Sequence, residues 1–72
     1  DTPLHHASRL KLPQVIQLLV DRGANANIEN GKGEVPLDKC RLGDFRGYEI
    51  LKKHTSIYYR ARYKARRLKE HV

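Results

Sequence analysis

Apolar residues in the first third of the chain recur at helical intervals. Leu4 and Ala7 stand three apart and share a face, and Val15, Ile16, Leu18 and Leu19 form a second, longer stripe. Thr2-Pro3 opens the first stretch: threonine is a good N-cap, and proline suits a first helical turn, where its missing N–H costs nothing. Gly23 follows the second stripe, where a helix C-terminus favours glycine. Beyond it Asn25-Ala26-Asn27, Asn30-Gly31 and Gly33 are dense in turn formers. The pattern predicts a short helix, a turn, a longer helix and then a Gly/Asn-rich turn.

The same pattern starts again after an offset of 33: Pro3 falls on Pro36, Leu4 on Leu37, His5 on Asp38 and Ala7 on Cys40. Tyr48, Ile50 and Leu51 supply the second copy's longer stripe, ahead of Lys52-Lys53. Residues 55–72 hold no Gly or Pro, and Thr55 or Ser56 can cap a helix there. Ile57, Ala61, Ala65, Leu68 and Val72 follow at spacings of 4, 4, 3 and 4, which predicts one helix with these residues on a single face and the basic residues over the rest. An isolated helix of that length is marginal in water, so a docked position is expected.

TPLHHA at 2–7, followed by VIQLLVDRGANANIENGKGEVPLDK, resembles the ankyrin repeat, whose pattern is T-P-L-H-x-A, two antiparallel helices and a projecting turn at a period of 33. The resemblance implies an α-solenoid of helix–turn–helix repeats with projecting turns, here followed by a basic C-terminal helix. It divides the chain into residues 1–54, with repeats at 2–34 and 35–54, and a basic amphipathic tail at 55–72. The second repeat reads as atypical and capping, and GEVPLDK at 33–39 resembles the wording of a terminal repeat. The chain opens inside a repeat, which predicts further repeats or another chain covering a face that includes Leu4, Val15 and Leu18. The family's place for Gly-His between its helices is taken by Lys11-Leu12, so a rearranged turn is expected there. In the family the histidine of T-P-L-H bonds neighbouring backbone, and His5 inherits that role by resemblance.

Charge changes the picture at one end only. Residues 1–54 carry nine basic and seven acidic residues, whereas residues 55–72 carry six basic residues and one acid. Such asymmetry marks an interaction arm. Three readings of the tail stay open beside a plain docked helix. It can contact an acidic protein or the parent's next domain, it can grip nucleic acid through phosphates and base stacking, or it can lie on an anionic membrane surface or serve as a calmodulin-type target. In each of these the contacts would fall on Arg60, Arg62, Lys64, Arg66, Arg67 and Lys69. No apolar run is long enough for membrane insertion.

Candidate chemistry is sparse. A single cysteine permits no internal disulfide and suits an intracellular, reducing compartment, cytoplasmic or nuclear. Cys40 stands where the family has alanine and reads as a small buried side chain. Adjacent helical residues diverge by about 100°, so His5 and His6 make a poor metal pair. Gly31-Lys32-Gly33 lacks the phosphate-loop pattern, and no catalytic constellation, metal site or cofactor motif is present. The expected function is a non-catalytic protein–protein interaction module within a larger protein. By resemblance the protein-binding positions are His6, Arg9, Leu10, Lys32, Glu34, Arg41 and Leu42. The alternatives are a nucleic-acid-associated protein using the 57–72 helix, or the regulatory segment of a larger enzyme or channel.

Overall fold

The computed structural model describes residues 1–40 and 44–70, with side chains as far as Leu68. It contains α1 (Pro3–Arg9), α2 (Pro13–Asp21), α3 (Pro36–Lys39), α4 (Phe45–His54) and α5 (Ile57–Glu70). Among the described residues there is no β-strand. α1 packs on α2 as one hairpin, and α3 on α4 as the next. The hairpins lie side by side, α1 against α3 and α2 against α4, and α5 rests on α3. This is a helix–turn–helix solenoid.

Local chemistry sets the helix starts. Pro3, Pro13 and Pro36 each occupy the opening turn of a helix. Thr2 caps α1 through a reciprocal box: its hydroxyl accepts the His5 backbone N–H, and His5 Nδ1 accepts the Thr2 backbone N–H at 3.1 Å. Asp44 caps α4 by accepting the Gly47 N–H. A Cβ on Gly47 would stand 2.6 Å from the Asp44 carboxylate, so glycine makes room for this cap; it would also come within 3.2 Å of Ile16 on α2.

Both helices of the first hairpin end in the same motif. After α2, Ala24 N–H bonds Leu19 C=O and Gly23 N–H bonds Val20 C=O, with Gly23 left-handed at φ 92°. After α1, Leu12 N–H bonds Ala7 C=O and Lys11 N–H bonds Ser8 C=O, with Lys11 at φ 58°. The expected rearrangement of this turn does not occur. Lys11 itself adopts the left-handed conformation, because two closing hydrogen bonds outweigh its Cβ penalty.

The core runs through both hairpins: Leu4, Ala7, Ile16, Val20, Ala26, Val35, Leu37, Cys40 and Leu51 are buried. Leu4, expected on an open face, is 2% exposed because α3 covers it, whereas Val15 (40%) and Leu18 (48%) are open. Two buried hydroxyls each bond the carbonyl four residues back. Ser8 Oγ donates to Leu4 C=O at 2.7 Å and Thr55 Oγ1 to Leu51 C=O at 2.6 Å. Asn27 links the first hairpin to the far end of α4, donating to His54 C=O and accepting the Ser56 N–H.

Candidate functional site

The layer formed by α1, α3 and the 30–34 turn is assembled by hydrogen bonds that cross between hairpins. Asn30 Oδ1 accepts the Lys32 and Glu34 N–H groups, and Gly33 takes φ 74° to close the turn. That turn presents the Glu34 carbonyl to His5, whose Nε2 lies 2.7 Å away. Because Nδ1 accepts from Thr2, His5 donates through Nε2–H, and it is fully buried. The backbone-bonding role implied for His5 is the geometry observed.

At the equivalent place of the second hairpin, Asp38 has no donor to offer. Its carboxylate, 4% exposed, accepts the Val35 N–H at 3.0 Å, which caps α3 although Val35 lacks a hydroxyl. The same carboxylate receives Arg62 at 3.0 Å and Arg66 at 3.3 Å from α5. Arg62 also donates to Gly33 C=O, and Arg67 donates to Cys40 C=O at 2.6 Å. Around these bonds the Arg62 guanidinium lies over Tyr59 and the Arg67 guanidinium over Tyr63, while Tyr63 packs on Tyr48 at 5.5 Å. Tyr59 donates to Glu29, and this bond holds the phenol above its ordinary pKa.

The face of α5 that docks is therefore not the apolar stripe read from the sequence. Ile57 (75%) and Leu68 (69%) are open, and Ala61 and Ala65 are exposed with them. The surface to be covered offers a carboxylate and two backbone carbonyls, and arginines and tyrosines match it where leucines would not.

The residues expected to bind a protein divide into three groups. His6, Arg9, Leu10 and Lys32 are exposed. Glu34 is half-buried and engaged: its carboxylate meets Lys39 at 2.8 Å and Asn30 at 3.0 Å, bonds that hold it below the ordinary glutamate pKa. Arg41 and Leu42 lie outside the described residues. Of the tail residues, Arg62, Arg66 and Arg67 are turned toward their own chain, Arg60 and Lys64 line a groove facing α4, and the Lys69 side chain lies outside the described residues. Cys40 is 2% exposed, and burial pushes its thiol up to about 12, so it is an inert packing residue.

Sequence reasoning missed two concavities. One, of about 460 Å³, lies between α2 and α4 and includes Pro13, Gln17, Phe45 and Ile50, with Phe45 78% exposed. The other, of about 320 Å³, lies between α4 and α5. Phe45, the chain's single phenylalanine, stands apart from the stripe of Tyr48, Ile50 and Leu51 and was the available signal for the first. The second requires knowing how α5 is rotated. Among the described residues no group of three or more His, Cys, Asp or Glu side chains is placed to hold a metal, and no helix is long and apolar enough to cross a membrane.

Paired helices stacked through an inward histidine and joined by a glycine-closed turn define an ankyrin-type repeat chain, and the ankyrin repeat family model matches residues 1–31. Residues 1–31 thus carry an ankyrin repeat, and such repeats are generally protein–protein interaction modules. It is 33% identical over 58 residues to XBAT35 of Arabidopsis thaliana, a protein named for the E3 ubiquitin-protein ligase class. It is 40% identical over 42 residues to ankyrin repeat and SOCS box protein 9 of Mus musculus. The matches cover 79% and 58% of this chain but span only 13% and 14% of those two relatives. No solved structure matches the chain.

Proposed function

We propose that the chain is a non-catalytic adaptor segment that recognises another protein through the α1 face and the tip of the 30–34 turn. The observation that carries this reading is the exposure of His6, Arg9, Leu10 and Lys32 on a layer whose backbone is fixed by the His5–Glu34 and Asn30 bonds. Side chains held on a pre-ordered backbone lose little freedom on association, which favours binding. In this reading residues 2–34 form one repeat, 35–54 an atypical capping repeat and 55–72 a docked tail. Any reaction of the larger protein, such as the ligase activity for which XBAT35 is named, falls to other segments.

The nucleic-acid reading has less support. Arg62, Arg66 and Arg67 are committed to intramolecular acceptors, and the rings of Tyr59 and Tyr63 are covered by guanidinium groups. The deciding experiment is affinity capture with the wild-type chain beside a His6→Ala, Arg9→Ala, Lys32→Ala variant, followed by direct binding to the captured protein. A protein that binds the wild type and loses the variant supports the site. Equal binding to both would remove these residues from the interface, and preferential capture of nucleic acid would overturn the reading itself.

A further inference from the structure

α4 and α5 diverge from their Tyr48–Tyr63 contact and leave a groove between them. α4 contributes Tyr48 and Lys52, one helical turn apart; α5 contributes Ile57, Arg60, Ala61 and Lys64, whose spacing puts them on one face. The groove is thus lined by one ring, one isoleucine, one alanine and three cations. Among the described residues no carboxylate lines it. Glu49 approaches Lys52 at 3.6 Å from outside, and Asp38 is occupied by Arg62 and Arg66. Arg60 Nε is buried and has no hydrogen-bond partner among the described residues. A buried donor without an acceptor is a standing cost, relieved when the side chain turns to meet an anionic oxygen in the groove.

We propose that this groove binds the carboxylates of an acidic peptide segment of a partner protein, with Arg60 Nε–H donating to one carboxylate and Lys52 and Lys64 flanking it. The proposal rests on the reading of the chain as a protein-interaction module and adds a second surface to it. An acidic peptide fits better than nucleic acid: the groove is about two helical turns long, and the tail's remaining arginines point away from it toward α3 and the turn. Stacking of successive bases needs open rings, yet Tyr48 packs on Tyr63 and lies under Lys52. A membrane surface is also a poorer match, because the exposed apolar stripe of α5 is half alanine and offers little area to bury.

The test is fluorescence anisotropy of a labelled oligoglutamate peptide titrated with the 72-residue chain, with oligothymidylate and phosphatidylserine vesicles as competitors. Arg60→Gln combined with Lys64→Gln removes two cations that have no partner among the described residues; unchanged circular dichroism and melting would show that the fold is intact. The expected loss of peptide affinity is about tenfold or more, and Arg60→Lys, which keeps the charge but lacks Nε–H, should lose part of it. Equal affinity of the double variant, or preferential binding of oligothymidylate or vesicles, would overturn the proposal. Arg9→Ala and Lys32→Ala should leave oligoglutamate binding unchanged. Loss through those residues alone would sink the groove while leaving the adaptor reading in place.

Discussion

The molecule has two junctions of opposite chemistry. The first hairpin meets the second through an apolar core from Leu4 to Leu51, pinned by His5 donating to the Glu34 carbonyl and by Asn27 at the far end of α4. The second hairpin meets α5 through Asp38, Arg62, Arg66 and backbone carbonyls, with tyrosines filling the gaps. One substitution at the position shared by His5 and Asp38 separates the two. A donor at that place suits the carbonyl of a following repeat, and an acceptor suits an arginine-bearing helix. The comparison teaches that the polarity of one buried side chain decides what a hairpin packs against, a turn carbonyl at His5 and an arginine-bearing helix at Asp38.

The largest expected effect breaks the apolar junction. Ile16 is fully buried in the core between the hairpins, so Ile16→Ala should cost about 3–5 kcal/mol in urea denaturation. Leu19 is only partly buried, and Leu19→Ala should fall at about 2 kcal/mol, the low end of the core range. The polar junction breaks differently. Asp38→Ala removes both the α3 cap and the arginine acceptor and should cost about 2–3 kcal/mol. Its mark should be faster amide hydrogen exchange in α5, with α1 and α2 little changed. Lys11→Gly relieves a left-handed residue and should stabilise by about 1 kcal/mol, read as a higher melting temperature.

The smallest effects concern titration. The lowered pKa of Glu34 means that its contribution is complete above the ordinary glutamate value of 4.5 and is lost as pH falls through the lowered one. Stability measured from pH 6 downward should therefore fall less steeply in Glu34→Gln than in the wild type. Cys40, with its thiol near 12, should resist iodoacetamide at pH 8 until the chain is unfolded.

Much of the first junction was legible in the sequence. The 33-residue offset, the prolines at helix starts, Thr2 as cap and Gly23 as stop are local signals, and each reads the same way in the fold. His5 was legible through the family pattern. The second junction was not. Hydrophobic periodicity assumes that a helix docks by its apolar stripe, yet α5 docks by Tyr59, Arg62, Tyr63 and Arg67 and leaves Ile57 and Leu68 open. The departure at Asp38 was visible, but its partners lie 24 and 28 positions further along, and no spacing rule connects them. The exposed candidates at His6, Arg9, Leu10 and Lys32 followed from the repeat pattern. The engagement of Glu34 did not, because Lys39 reaches it across the turn of chain that opens α3.

Asp38 and Arg62 couple the second hairpin to α5. A double-mutant cycle of Asp38→Ala and Arg62→Ala, followed by urea denaturation of all four proteins, measures that coupling with the separate costs of lost cap and lost ring contact cancelled. The account predicts an interaction energy of about 1–2 kcal/mol, and a value within about 0.3 kcal/mol of zero would show that the two residues act independently.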